Sequence, residues 1–295
     1  MVKVKVPAST ANLGPGFDAL GMALNLYLQV SIAEADRTEV TLDGLQGTPP
    51  DLTNNLIYQG AIRLYDYLGR AKPGLTIQIN NGIPMGKGLG SSAAAWLAGL
   101  GAANRILGDA LTSEELLTLA LELEGHPDNI VPAMVGGMTV AMPVDGKIEY
   151  QKVKIDAALK VIVAVPDFIL PTEDSRAMIP SAIPLAAMAA NLQRTGFLVA
   201  AFIKQEYEKL SWAMQDACIE NFRKPLIPGF DLVIRAAKEA GALSAVISGA
   251  GPSIAAWTLN NPAEIATAMQ TAWQTVGIEA KVYLLEADNE GLQYI

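Results

Sequence analysis

The stretch Pro84-Met85-Gly86-Lys87-Gly88-Leu89-Gly90-Ser91-Ser92-Ala93-Ala94 constrains this chain more than any other. Three glycines and two serines stand directly before an alanine-rich run, which the pattern predicts to be helical from about Ser92 to Leu107. Glycine lets a backbone approach a ligand closely and adopt conformations that other residues resist. A helix start presents unpaired N–H donors and the positive end of a dipole. A glycine loop feeding a helix is therefore an expected phosphate site, and a nucleotide the expected ligand. The loop is not a Walker A motif. Gly82 to Gly88 misses the required spacing by one residue, and Gly88 follows Lys87 where a hydroxyl residue belongs. Nor does Gly86-Lys87-Gly88-Leu89-Gly90 keep the dinucleotide spacing G-x-G-x-x-G. The residues by themselves also allow a plain strand-to-helix connection without a ligand.

The flanking pattern sets this loop in an α+β chain. Val2 to Val6 alternates as a strand and opens into Pro7-Ala8-Ser9-Thr10-Ala11-Asn12-Leu13-Gly14-Pro15-Gly16-Phe17-Asp18, a loop carrying two polar side chains, Asn12 and Asp18. Further strands are expected at 26–33, 39–42 and 75–79, with a helix over 56–68 whose Ile57, Ala61, Leu64 and Leu68 share a face. Thr112 and Glu115 have capping-box spacing for a helix running to about Glu124, which Gly125-His126-Pro127 ends. A glycine turn at Gly136-Gly137 leads into a strand. The second half reads as a buried strand over 159–165, mostly helix over 186–214, a helix over 230–240, strands over 244–247 and 253–257, a helix over 262–276 and a strand over 280–285. Strands and helices do not alternate strictly, which favours α+β over a doubly wound sheet. The boundary between two units is expected near residues 150–160.

Hydrophobic residues make up 51% of the 295 and charged residues 17%, the balance of a core-rich globular protein. The net charge of −9 argues against a nucleic-acid partner but leaves room for a local anion site. Cys218, the only cysteine, rules out an intramolecular disulfide and reads as a packed helix residue. His126 is the only histidine, so a histidine-rich metal site is excluded, and its place before Pro127 reads as structural. The N-terminus shows no leader pattern, and Gly, Asn, Arg or Pro interrupts the apolar runs before membrane-spanning length. The expectation is a soluble, cytoplasmic protein with no membrane partner.

Gly88-Leu89-Gly90-Ser91-Ser92-Ala93-Ala94 resembles the phosphate-binding motif of the GHMP small-molecule kinases. Two further signatures of that family stand in the right order, Pro7 to Gly21 and Ile247-Ser248-Gly249-Ala250-Gly251-Pro252-Ser253, so the resemblance covers essentially the whole chain. Within the family, Asn12-Leu13-Gly14-Pro15-Gly16-Phe17-Asp18 and Glu124-Gly125-His126-Pro127-Asp128-Asn129 resemble the branch that phosphorylates the side-chain hydroxyl of L-homoserine in threonine biosynthesis.

The resemblance implies a two-domain α+β fold. An N-terminal domain, residues 1–155, would carry a left-handed βαβ unit, and residues 156–295 would form a ferredoxin-like domain. It implies ATP on the loop from Pro84 to Ala94, and Mg²⁺ held by the Ser92 hydroxyl and Glu124, with Glu122 the nearby alternative. Arg176 and Arg223 would take the homoserine carboxylate, suited to it by bidentate guanidinium geometry. Asn12 and Asp18 would hold the amino-acid end, Asp18 facing the ammonium, and Asn129 would orient the reacting hydroxyl. Two mechanisms stay open: direct attack by that hydroxyl, or attack assisted by Asp128 as base. Lys3 and Lys5 do not match the lysine that mevalonate kinase-like relatives use. A homodimer is implied by resemblance alone.

Read without the resemblance, Arg176 is a loop arginine paired with Glu173, Asp18 caps the turn after it, and Asn12 stabilises a turn. Two competing functions are a mevalonate-pathway kinase and a non-catalytic ligand-binding homologue. Mevalonate gives Asp18 no obvious task, and an intact Ser92, Glu124 and glycine loop argue against a dead homologue.

Overall fold

The structure is a computed structural model and describes residues 1–43 and 50–295. Its strands are β1 (Val2–Ala11), β2 (Leu20–Ala35), β3 (Glu39–Leu42), β4 (Gly74–Asn81), β5 (Met138–Val144), β6 (Lys147–Val153), β7 (Lys160–Pro166), β8 (Ser244–Ile247), β9 (Ile254–Thr258), β10 (Ala280–Glu286) and β11 (Gln293–Tyr294). Its helices are α1 (Leu56–Tyr67), α2 (Ser91–Ile106), α3 (Ser113–Glu124), α4 (Pro127–Val135), α5 (Thr172–Ala177), α6 (Leu185–Ile203), α7 (Leu210–Ala213), α8 (Glu220–Arg223), α9 (Phe230–Glu239) and α10 (Pro262–Gln274).

One sheet runs β11-β1-β2-β4-β3, with β5 and β6 continuing from the far end of β2. The alternation in β1 buries Val4 and Val6 and leaves Lys3 exposed, as a half-buried antiparallel strand requires. β2 is longer than its periodicity predicts because Leu20–Met22 pair with β5 and Leu28–Ala35 with β4. β3 lies parallel to β4, and α1 connects them as a βαβ unit. Helices α2 and α4 pack on β1 and β2, and α1 packs on α2. Local chemistry sets the helix ends. Asn55 accepts from the Ile57 and Tyr58 N–H groups at the start of α1, and Thr112 and Glu115 form a reciprocal capping box on α3.

The second sheet has the order β10-β7-β9-β8, every pair antiparallel. With α9 before β8 and α10 before β10, this is the strand order of a ferredoxin-like unit. Ile162, Ile254, Val233, Met269 and Trp273 fill the core between its sheet and helices. Between β7 and α9 the chain makes an excursion through α5 to α8, which returns it to the first sheet's loops. After β10 the chain leaves the second sheet, and Val4 and Lys5 of β1 pair with Tyr294 and Gln293.

Three expectations need correction. The helix expected over 186–214 is interrupted: α6 stops at Ile203 and Gln205 takes a left-handed φ of 57° before α7. Cys218 is buried but not helical; it lies in the bend before α8, its N–H donating to Asp216 Oδ1 at 2.7 Å. And α6 is, by length and composition, apolar enough to cross a membrane. Polar ties bind it to the rest of the chain: Asn191 Nδ2 donates to Asp216 at 2.8 Å and Thr195 Oγ1 to the Pro15 carbonyl at 3.0 Å.

Candidate active site

A cavity of about 600 Å³ opens between the glycine loop, the 12–18 loop and the excursion of the second unit. Met85 to Ser92 line it, whereas Ala93 and Ala94 are fully buried beneath and Pro84 is not part of its wall. Gly88 and Gly90 adopt φ values of 75° and 64°. A Cβ at Gly88 would collide with the Ser248 carbonyl oxygen, and one at Gly90 with Ser9 Oγ. Both conformation and space therefore demand glycine. The contacts behind this demand join three distant segments. Ser9 N–H donates to the Leu89 carbonyl at 3.1 Å, and Ser248 Oγ donates to the Gly88 carbonyl at 2.6 Å. Asn12 Nδ2 donates to the Gly249 carbonyl at 2.9 Å. Gly90 is the N-cap of α2 and no side chain caps that end, which leaves the first N–H groups of α2 available to an anion. Lys87 does not aim its charge at this end. Its ammonium donates to the Pro166 and Phe168 carbonyls at 2.8 and 2.6 Å, and burial pushes its pKa down.

Ser92 Oγ donates to Glu124 Oε1 at 2.6 Å, and both line the cavity. Burial raises the Glu124 pKa against the hydrogen bonds from Ser92 and Trp96. Glu122 instead meets Arg63 at 2.8 Å on the outer surface, the divergence expected two positions apart on a helix. A hydroxyl beside a desolvated carboxylate is a hard oxygen pair that suits Mg²⁺. Among the described residues no group of three or more His, Cys, Asp or Glu is placed to hold a metal ion.

The opposite end is built from side chains. Arg176 on α5 donates from Nη1 and Nη2 to the two carboxylate oxygens of Asp18, at 3.1 and 2.6 Å. Asp18, not Glu173, is thus its partner. Asp18 sits at φ 57°, its N–H donating to Asn12 Oδ1 at 3.1 Å. Arg223, at the end of α8, is 3% exposed and makes one hydrogen bond, to the Gly249 carbonyl at 3.1 Å; its Nε has no partner. The Phe17 ring lies 5.3 Å from the Arg176 guanidinium and 5.2 Å from that of Arg223. Burial and then the Arg176 charge lower the Arg223 pKa.

Asp128 and Asn129 stand at the start of α4, between the two ends. Asn129 Oδ1 accepts from Ser9 Oγ at 2.9 Å, and its Nδ2 donates to Asp128 Oδ1 at 3.3 Å. Burial, then repulsion from Asp18 and Glu124, pushes the Asp128 pKa up to about 7, with Arg176 opposing. His126 Nδ1 is 4.0 Å from Asp128 Oδ1, and burial lowers its pKa. The structure thus gathers Asn12, Asp18, Ser92, Glu124, Asp128, Asn129, Arg176 and Arg223 around one cavity. Lys3 and Lys5 are absent from its wall, and Lys5 lies 4.5 Å from the Tyr27 ring.

The sequence reading missed the third wall. Leu28, Leu42, Ile57 and Ile79 give this part of the cavity an apolar surface, with Asn54, Asn55 and Asn81 beside them. Asn55 Nδ2 is buried without a partner.

Both halves of the chain match a known family. The GHMP kinases N-terminal domain matches residues 55–137, and the GHMP kinases C-terminal domain matches residues 198–275. The homoserine kinase of Desulfitobacterium hafniense is 41% identical over the full length of both chains. That of Microchaete diplosiphon is 42% identical over 98% of this chain and 96% of its own. The crystal structure of homoserine kinase from Cytophaga hutchinsonii superposes with a TM-score of 0.90 at 32% identity, covering 100% of this chain and 97% of that one.

Proposed function

The chain belongs to the GHMP kinases and, within them, to the homoserine kinases, and from that premise we propose how its own residues carry the reaction. It transfers the γ-phosphoryl group of ATP to the side-chain hydroxyl of L-homoserine, giving O-phospho-L-homoserine for threonine biosynthesis. Phosphoryl transfer asks a protein for positioning and charge stabilisation more than for covalent chemistry. Residues Met85 to Ser92 and the start of α2 hold the phosphates through backbone N–H groups. The apolar wall of Leu28, Leu42, Ile57 and Ile79 takes the base, within reach of the unpartnered Asn55 amide. Ser92 and Glu124 are the residues to hold Mg²⁺, which when bound offsets the charge of the phosphates.

Homoserine is a zwitterion with a hydroxyl tail, and the acceptor end offers a complementary charge set. Arg223 and Arg176 take the carboxylate and Asp18 the ammonium. Asn12 fixes the loop that presents Asp18. Asn129, held by Ser9, orients the hydroxyl toward the phosphate end. The hydroxyl oxygen attacks the γ-phosphorus directly as its bond to the ADP oxygen breaks, the hydroxyl proton passes to an oxygen of the transferred phosphoryl group, and Asp128, 3% exposed behind Asn129, supports that amide. The observation that carries this reading is the opposition across one cavity of a glycine-built anion site and a buried arginine beside a carboxylate. Two domains divided near residue 155, a soluble cytoplasmic enzyme, and a homodimer using the exposed Leu185, Leu192 and Ile203 of α6 complete the proposal.

The test is ADP release with L-homoserine, L-serine, mevalonate or galactose as acceptor. Homoserine is expected to give the highest kcat/KM. An equal or higher value with mevalonate would remove the amino-acid site, and nucleotide binding without turnover on any acceptor would favour a non-catalytic homologue.

A further inference from the structure

We infer that Asp216 is a positioning residue for the acceptor site, holding Arg223 and the 12–18 loop in register from behind. This rests on the reading of Arg223 as the carboxylate-binding group. Asp216 lies in the bend between α7 and α8 and touches no part of the main cavity. Its two oxygens gather donors from two directions. From α6, Asn191 Nδ2 donates to Oδ1 at 2.8 Å. From the start of α8, Cys218 N–H donates to Oδ1 at 2.7 Å and Glu220 N–H to Oδ2 at 2.8 Å, with Ile219 N–H shared between the oxygens at 3.0 and 3.1 Å. Asn191 Oδ1 returns the bond by accepting from Ala217 N–H at 2.8 Å. One carboxylate thus pins the start of α8, whose last residue is Arg223, to the side of α6.

The need for such a pin is visible in Arg223 itself. Its guanidinium makes one hydrogen bond to protein, so its aim depends on where α8 is held. The same anchor reaches the loop that carries Asp18. Thr195, one turn along α6 from Asn191, donates to the Pro15 carbonyl, and a Cβ at Gly14 would collide with the Met214 backbone. Behind Arg223 a cavity of about 20 Å³ is shared by Asp216, Glu220, Phe17, Asn12 and Gly14, so acceptor-side residues from both units meet the anchor there. A cap that sets the register of a helix sets every side chain on that helix.

The experiment is a double-mutant cycle between Asp216→Ala and Arg223→Ala, with Asp216→Ser as the conservative partner because serine keeps one cap acceptor. Asp216→Ala is expected to raise the homoserine KM about tenfold, with ATP KM and kcat changed less than about twofold. Asp216→Ser is expected to fall between it and the wild type. In the Arg223→Ala background, Asp216→Ala is expected to raise the homoserine KM by clearly less than its tenfold in the wild type, leaving only the part that runs through the 12–18 loop. An additive effect on homoserine KM, or parallel loss of ATP and homoserine binding with a lowered Tm, overturns the inference. If Asp216→Ala does not fold, Asp216→Ser carries the same cycle. Should Arg223→Ala leave the homoserine KM unchanged, the carboxylate reading fails and the anchor fails with it. A homoserine KM that responds to Arg223→Ala but to neither Asp216 variant overturns the anchor alone.

Discussion

The two ends of the cavity are made of different material. The phosphate end is backbone: the Gly88 carbonyl tied by Ser248, the Leu89 carbonyl tied by Ser9, and the uncapped start of α2. The acceptor end is side chain: Asp18, Arg176 and Arg223, drawn from a loop and two short helices far apart in the chain. Backbone donors come with any sequence but need an unusual path, so the demand falls on glycine. Side-chain recognition accepts an ordinary path but needs particular residues, each placed by neighbours. The first design suits a ligand shared by many enzymes, and the second a ligand that one enzyme must select.

Substitutions can break this contrast at either end. The largest effect is expected from Gly90→Ala. Its methyl meets Ser9 Oγ and lies 3.0 Å from Asn129 Oδ1, at a φ that alanine resists. Because that displaces both the phosphate path and Asn129, kcat/KM should fall by roughly 100-fold or more for both substrates. Steady-state kinetics with each substrate varied would check it; a loss confined to homoserine would erase the division between the ends. Next is Arg223→Ala, expected to raise the homoserine KM about 10- to 100-fold, the value of a charge-assisted bond, with nucleotide affinity nearly unchanged. Calorimetric titration of each ligand separates the two, and matched losses would show that the arginine serves the whole cavity.

The smallest effect on turnover is expected from Asp128→Asn, within about tenfold. A loss near the 10⁴-fold limit of general base catalysis would make Asp128 the base. The same variant has a clearer signature in stability. Asp128 is raised from 3.8 to about 7, so between those values the folded protein keeps a proton that the unfolded chain has released. Stability contributed by this group therefore falls as pH rises through that window and is flat above it. Melting curves from pH 4 to 8 should show a shallower decline for Asp128→Asn than for the wild type. An unchanged slope would remove the carboxyl from its buried setting.

The contrast also explains what could be read in advance. A contiguous glycine loop writes its geometry into consecutive residues, so its path toward a helix N-terminus was legible. Capping was legible for the same reason: Thr112 and Glu115 are three residues apart, and the cap needs nothing else. Arg176 was legible only through family likeness, because its partner Asp18 lies 158 residues away and nothing local distinguishes it from an arginine bonded to Glu173. The bonds of the Lys87 ammonium to the Pro166 and Phe168 carbonyls were not legible, because those residues lie far along the chain and nothing beside Lys87 marks them. The wall of Leu28, Leu42, Ile57 and Ile79 was invisible because strand and helix faces that line a cavity carry the same apolar pattern as faces that fill a core.

The pairing of Tyr294 and Gln293 with β1 has a consequence for synthesis. β1 waits for β11, and the whole ferredoxin-like unit is made between them. Until β11 is made, β1 presents an open sheet edge with Lys3 and Lys5 on it. The residues from Val6 to Leu292 must all follow before that edge is covered. The same pairing sets Val4 beside Tyr294, so a permuted version in which a short linker carries residue 295 into residue 1, opened instead in a surface turn, would make β11 just before β1 rather than long after it.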